Sequence, residues 1–447
     1  MAAKDNPTDA SLASPPGRGV SSPGGILSLL FAANLLNFYD RTIPAIVVEP
    51  LKAEFLLTDT HIGVLSGAFT VVYALFGIPL GRLADRSSRR TILVTGLLFW
   101  SLLTAATGLV GGFISLLVVR MLVGVGEASF APAANSVLAD LYPAQRRARA
   151  TALLQLGLPL GLVLSFFTVG PITELSGTWR TAFFIAAVPG LFVAALMLFI
   201  REPARGAAEP VAPPPGVVAQ AFRKVLRIRT LWWLTLAGVG AQIAAYAVAT
   251  FSVPLFQRYF GTSLATGGML TGVVIGLTGL AGLVIGGRLA DRASRRSPAG
   301  RVYTGAIALL LAAPLTFAAL SLGPDSVGWF VLLFSAGWLL QYMYYTSVYP
   351  ALADVVEPRL RATAISVFFA AFYLLGGFTG PVIAGALSDR FAAAAVGLSP
   401  ARAAAEGLSQ SLMIVIPLGL LLTSIGLFGA ARKVTADSAR MRAETGG

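Results

Sequence analysis

The 447-residue sequence contains no cysteine and a single histidine. The first absence removes disulfides, thiolate nucleophiles and Cys-ligated metals, and the second removes a metal site built from histidines. No glycine-rich phosphate loop ending in Lys-Ser or Lys-Thr is present, so ATP has no binding motif to act through. Charge is scarce as well. Only 12% of residues are Asp, Glu, Lys or Arg, about half of the ~25% usual in a soluble domain. So few charges cannot cover the surface of a soluble globule of this length, and a single soluble domain is excluded. Apolar residues fill the space: 56% of the chain, together with 48 glycines. That supply suffices for roughly twelve membrane helices of ~20 residues each.

Apolar segments run at about 26–48, 61–81, 91–110, 112–138, 150–173, 179–200, 231–256, 265–287, 302–322, 327–353, 362–386 and 408–431, twelve in all. Residues 1–25 read as a disordered cytoplasmic tail, because no apolar core precedes a small-residue cleavage site. The one long polar interruption, 202–229, contains Pro213-Pro214-Pro215 and reads as a cytoplasmic linker between bundles at 26–201 and 230–432, with 433–447 a second cytoplasmic tail. The net charge of +13 could suggest nucleic acid, but that requires basic residues clustered on a soluble face. Here they sort by loop instead. With the N-terminus inside, the inner segments hold 26 Lys and Arg, the outer loops five and the spans two. By the positive-inside rule both termini are cytoplasmic. Arginine outnumbers lysine 29 to 4, which points to a GC-rich, bacterial source and hence a cell (inner) membrane.

The chain repeats itself. Gly81-Arg82-Leu83-Ala84-Asp85-Arg86-Ser87-Ser88-Arg89-Arg90 returns 206 residues later as Gly287-Arg288-Leu289-Ala290-Asp291-Arg292-Ala293-Ser294-Arg295-Arg296, identical at nine of ten positions. Leu138-Ala139-Asp140 with Arg149-Ala150-Thr151-Ala152 likewise matches Leu352-Ala353-Asp354 with Arg361-Ala362-Thr363-Ala364. Two ordered matches at nearly one offset describe a tandem duplication of a six-helix unit.

These residues resemble the major facilitator superfamily, whose signature is a Gly-x-Leu-Ala-Asp-Arg stretch with trailing arginines between helices 2 and 3, repeated between helices 8 and 9. Four further stretches resemble its spinster branch of lipid transporters: Asn37-Phe38-Tyr39-Asp40-Arg41, Gly124 to Pro132 around Glu127, Ala139-Asp140-Leu141-Tyr142-Pro143, and Arg201-Glu202-Pro203-Ala204-Arg205-Gly206. The resemblance implies an all-α integral membrane protein of twelve transmembrane helices in two six-helix repeats, with helices 1, 4, 7 and 10 lining a central cavity. It also implies a monomer that carries out alternating-access secondary transport, with no cofactor and no enzymatic step. The anion:cation symporter branch also carries Asp-Arg in helix 1 and Gly-Glu-Ala in helix 4, so an organic-anion:proton symporter is the alternative.

Four ionisable groups fall inside spans: Asp40 and Arg41 in the first, Arg120 and Glu127 in the fourth. Each costs at least ~2.5–3.5 kcal/mol at the bilayer centre, so all four must face a cavity or pair. Arg120 and Glu127 are two turns apart, about 10 Å along one helix, so each must look to the first span or to water. The set forms either a proton-coupling site or a structural lock between the spans. Glu127 is the favoured proton carrier and Asp40 the second choice, because Arg41 beside Asp40 would keep it ionised. Arg41 or Arg120 would take an anionic headgroup, with Asn37 nearby. The second half has no mid-span charge in spans 7 and 10 but offers Gln242, Tyr246, Trp338, Gln341, Tyr342, Tyr344, Tyr345 and Tyr349. One charged wall and one aromatic wall suit an amphiphile, of lysophospholipid or sphingoid type. Gln242, Tyr246, Gln341 and Tyr345 are its expected contacts in this half, while aromatic stripes equally serve to pack a bundle. Gly81, Asp85, Arg86, Arg90, Gly287, Asp291 and Arg292 form the expected inner gate. Gly63 and Gly67, and Gly268, Gly272 and Gly276, predict close helix approach, and His61 reads as a wet residue at a helix start.

Overall fold

The computed structural model describes residues 22–205, 224–297, 299–357 and 360–445. The expected tail and most of the expected linker, at 1–21 and 206–223, lie outside the described residues. Every apolar segment forms a helix. Span 1 is Pro23–Ile46, span 2 Asp59–Arg86 and span 3 Arg89–Thr107. Span 4 joins Phe113–Ala128 to Phe130–Leu141, span 5 joins Ala144–Gln155 to Gly157–Ser176, and span 6 is Arg180–Met197. Span 7 is Arg229–Arg258, span 9 Gly300–Leu320, span 10 Val327–Asp354 and span 12 Pro400–Thr445. Span 8 runs Leu264–Thr271, a π turn Gly272–Leu277, then Thr278–Ser294. Span 11 runs Arg361–Phe372, a π turn Tyr373–Gly377, then Thr379–Ala394.

Among the described residues eleven helices are long and apolar enough to cross a membrane. Span 1 has the length but not the hydropathy, because it carries Asn34, Asn37, Asp40 and Arg41. Burial against spans 5 and 6 lets this helix keep polar groups that lipid would not tolerate. Helix starts are set locally: Ser22 accepts from Gly25 N ahead of Pro23, Ser88 from Thr91 N, and Ser263 from Thr266 N. At span 2 the Thr58 hydroxyl accepts from His61 N while His61 Nδ1 accepts from Thr58 N, a reciprocal cap that leaves His61 exposed.

One end of the bundle gathers both ends of the described chain and the arginine-rich 2–3, 4–5 and 8–9 connections; it is called the basic end below. The buried apolar side chains form two clusters. One stays within spans 1–6 around Trp100 and Phe130. The other fills spans 7–12 and crosses to Ile43, Val47, Leu51 and Phe183 at the opposite end. The two halves meet along spans 2 and 11 and along spans 5 and 8. A Cβ on Gly63 would lie 2.3 Å from the Pro381 carbonyl oxygen, and one on Gly268 2.7 Å from that of Phe166. No larger residue allows backbone to pass so near. Gly67, Gly272 and Gly276 likewise face Phe378, Phe167 and Val163 across the two seams.

Candidate functional site

The helix of span 4 is interrupted at Ser129, between Ala128 and Phe130, where the Ser129 hydroxyl bonds back to the Gly126 carbonyl at 2.7 Å. Just before this break, Glu127 projects toward span 1. Arg41 donates to Glu127 Oε2 through Nε at 3.2 Å and Nη2 at 3.0 Å, and through Nη2 to Asn37 Oδ1 at 3.3 Å. Its guanidinium also lies over the rings of Tyr73, Phe38 and Phe69, at 4.3, 5.0 and 5.1 Å from their centroids. Glu127 is fully buried, and its second oxygen meets no hydrogen-bond partner. Arg120 is buried over Phe69 with Nη1 unbonded.

Arg41 therefore does not hold Asp40. The two are neighbours in sequence, but a step of 100° around the helix separates their side chains, and the guanidinium turns to span 4. Asp40 is 1% exposed; among the described residues it accepts one long hydrogen bond, 3.4 Å, from Thr104 on span 3, and its Oδ1 has no partner. One carboxylate of the pair is bonded by a guanidinium and the other is not, the reverse of the sequence expectation.

The second half supplies rings. Tyr345 packs against Tyr342, Tyr344 and Tyr349, with centroids 5.6, 5.1 and 6.0 Å apart. Tyr246 of span 7 meets Tyr373 edge-on at 6.3 Å, beside Gly377 and Thr70 at the seam with span 2. Gln242 and Gln341 are buried, and Trp338 Nε1 and the Tyr344 hydroxyl have no hydrogen-bond partner among the described residues. The wall also contains Phe368, Phe369, Phe372 and Tyr373 from span 11. Sequence reasoning missed these four because it took cavity residues from spans 1, 4, 7 and 10 only. The paired aromatics one turn apart, Phe368-Phe369 and Phe372-Tyr373, were the available signal.

Among the described side chains, the expected gate residues make no bond between the halves at the basic end. Arg86, Arg90 and Arg292 are exposed, Gly81 packs near Pro132 of its own half, and Gly287 faces open space. Asp291 is exposed and lies 3.7 Å from Arg301, which also reaches Asp354 at 3.3 Å, all within spans 8–10. The Asp85 side chain lies outside the described ones. The strong cluster here was not anticipated. Arg89, 1% exposed, bonds Asp140, the Pro203 carbonyl at 2.6 Å and Glu202 at 2.9 Å. Glu202 in turn accepts from the Ser88 hydroxyl and from the N–H groups of Arg89 and Arg90, capping span 3. Burial alone would raise the Glu202 carboxyl, but these hydrogen bonds, that from Arg89 foremost, bring it down to about 2. Arg89, Asp140 and Glu202 each belong to a motif stretch noted in the sequence; what was missing was that three separate stretches meet.

The ties between halves collect at the opposite end. Arg258 of span 7 bonds Glu49 at 2.6 and 2.8 Å and Asp59 at 2.7 and 2.8 Å. Lys52 and Ser388 also bond Asp59, and Asp389 of span 11 accepts from the N–H groups of Asp59 and Thr60. These contacts tie span 2 and the connection between spans 1 and 2 to spans 7 and 11 at the opposite end.

A family model described as Major Facilitator Superfamily matches residues 30–381. The chain is 32% identical over 370 residues to an MFS-type efflux pump of Mycolicibacterium smegmatis, covering 82% of this chain and 83% of that protein. It is 29% identical over 403 residues to protein spinster homolog 1 of Homo sapiens, covering 83% and 74%. A crystal structure of a bacterial homolog of the human lysosomal transporter spinster, inward-facing and unoccupied, matches with a TM-score of 0.85 at 28% identity, over 93% of this chain and 98% of that one.

Proposed function

The chain belongs to the major facilitator superfamily, as a multi-pass membrane transporter of spinster type, and from that premise we propose that it moves an amphipathic lipid, a lysophospholipid or sphingoid base, in exchange with or alongside protons. The basic end faces the cytoplasm of a bacterial inner membrane, both termini lie there, and the monomer works by alternating access between spans 1–6 and 7–12. The arginine-rich loops support the orientation. The ties at Arg258 support an inward-open state, the conformation named for the solved relative.

The observation that carries proton coupling is the unequal treatment of two buried carboxylates 87 positions apart. Glu127 is fixed by Arg41 and serves as a standing charge. Asp40 has one long donor and no bonded cation, and a buried carboxylate without a partner is costly. Asp40 is therefore the proton carrier, and Glu127 holds Arg41 in place. Arg120, whose Nη1 has no hydrogen-bond partner among the described residues, offers a cation for an anionic headgroup, and Asn37 lies beside Arg41. Gln242, Tyr246, Gln341 and Tyr345 line the side that takes the lipid chain. Gly81, Asp85, Arg86, Arg90, Gly287, Asp291 and Arg292 remain the proposed inner gate, engaged only when the cavity closes at the basic end. An organic-anion:proton symporter would want free cations on both walls, and the second wall is aromatic.

The test is flux in proteoliposomes, with a panel of lysolipids and hexuronate-like anions at two pH gradients. Lysolipid transport that grows with the gradient, with the anions inert, is the expected result. Anion transport without lysolipid transport would overturn the cargo, and flux indifferent to the gradient would overturn the coupling.

A further inference from the structure

Span 12 outruns the membrane. Its helix has 46 residues, more than twice the ~20 needed to cross, and its apolar stretch gives way at Arg432-Lys433. The projecting part lies beside the segment that leads into span 7. Asp437 accepts from the N–H of Thr230 at 2.9 Å and from its hydroxyl at 2.7 Å, tying the two elements together. Between them lies a groove of about 330 Å³ lined by Lys224, Arg227, Glu357, Asp437 and Arg440.

Charge in this groove is unevenly committed. Lys224 reaches Glu357 at 3.5 Å, and Asp437 is occupied by Thr230. Arg227 and Arg440 are exposed and make no ion pair among the described residues. They approach the groove from different elements, so two planar guanidinium groups can converge on one anion. The next turn places the groove relative to lipid. Trp232 and Trp233 are 50% and 37% exposed at the start of span 7, where indole rings settle at headgroup level. The Trp232 Nε1 donates to the Leu226 carbonyl, which fixes the cationic segment against the ring that marks the interface.

We infer that this groove binds the phosphate of an anionic membrane phospholipid, held between Arg227 and Arg440 with its chains running down past Trp232 and Trp233. Basic pockets at the ends of membrane helices take such headgroups, and each cation near the surface adds roughly fivefold in affinity. The site is separate from the transport site proposed above: it joins the connection into spans 7–12 to the end of span 12. It requires that the chain be a membrane protein, and neither the cargo nor the orientation proposed above enters its logic.

The experiment is native mass spectrometry of the full-length protein released from detergent, titrated with phosphatidylglycerol, with phosphatidylcholine, and with inorganic phosphate as a separate arm. Phosphatidylglycerol is expected to bind in preference to phosphatidylcholine. The double variant Arg227→Gln/Arg440→Gln is expected to lose roughly thirtyfold of that affinity, while Arg227→Lys/Arg440→Lys keeps most of it and controls for folding. Equal binding of the two lipids, or a double variant that binds like the parent, would overturn the proposal. So would inorganic phosphate displacing phosphatidylglycerol at equal concentration, which would make the groove a soluble-anion site.

Discussion

The two halves share one fold and a near-identical ten-residue motif, yet they distribute charge in opposite ways. Spans 1–6 contain all four mid-span ionisable groups, and Arg41 and Glu127 pair inside that half. Spans 7–12 answer with rings from spans 7, 10 and 11 and with buried amides. A duplicated scaffold can keep its packing while its two copies diverge in chemistry, because helix packing needs small residues at seams and the cavity face is free to vary. The same asymmetry appears at the basic end. Arg89 is buried among Asp140, Glu202 and Pro203, whereas Asp354, the repeat counterpart of Asp140, is exposed and is met at 3.3 Å by Arg301 at the start of span 9, which also lies 3.7 Å from exposed Asp291. The first half carries the mid-span charges and the second the aromatic wall. Two π turns among the described residues, a kind of irregularity that often marks functional sites in helices, also lie in the second half at the seams.

The largest test of that division is Glu127→Gln. It leaves the Arg41 guanidinium buried beside an amide, and breaking a buried pair costs about 3–5 kcal/mol. A steep loss of thermal stability in detergent is expected, with Arg41→Gln/Glu127→Gln recovering part of it. If Glu127→Gln melts like the parent, the pair is not what holds spans 1 and 4 together. Next comes Asp40→Asn, which removes the proposed proton carrier without orphaning a cation. Gradient-driven lysolipid flux should fall about a hundredfold, an effect of roughly 2.7 kcal/mol, while counterflow exchange stays within a few-fold of the parent and the melting temperature barely moves. Loss of counterflow and driven flux together would assign Asp40 to packing or cargo binding.

How far these assignments were legible beforehand depends on the distance over which each is decided. Twelve helices and the glycine seams were visible because hydropathy and small-residue spacing act within one or two turns. That the four mid-span charges would cluster was visible too, since an isolated charge is too costly in lipid. Which acid Arg41 would choose was not. Sequence adjacency favoured Asp40, but the helix turns 100° per residue, and the Arg41 guanidinium reaches Glu127 on span 4 instead. The contribution of span 11 was hidden for a similar reason: Phe369 and Tyr373 reach the tyrosines of spans 10 and 7 only once the bundle is assembled. Arg89, Asp140 and Glu202 stood in three motif stretches whose convergence is a tertiary fact.

On the aromatic side the expected effects are smaller, because rings share their work. Tyr345→Ala removes three ring contacts at 5.1–6.0 Å, each pair worth about 0.5–1.5 kcal/mol. Neighbouring rings can close over the gap, so a two- to tenfold rise in KM for a long-chain lysolipid is expected, with a smaller rise for a short-chain one. A rise that ignores chain length would move Tyr345 from the apolar wall to the headgroup.

The smallest effect separates the two basic-end clusters. The Glu202 carboxyl sits at about 2 against an ordinary value near 4.3. A carboxyl lowered in the folded state stabilises the protein fully above its unfolded value, and that contribution drains away as pH falls through the folded one. Glu202→Gln should therefore lower the melting temperature by a few degrees at most near pH 6, since the site is partly open to solvent. The difference between variant and parent should shrink between about pH 5 and pH 2. Asp354→Asn, made at the exposed counterpart, should leave the melting curve unchanged over the same range. Equal and equally pH-dependent losses from both substitutions would mean that the two halves anchor their third and ninth spans alike. The asymmetry would then be confined to the cavity, and Arg89 would lose its standing as the anchor particular to the first half.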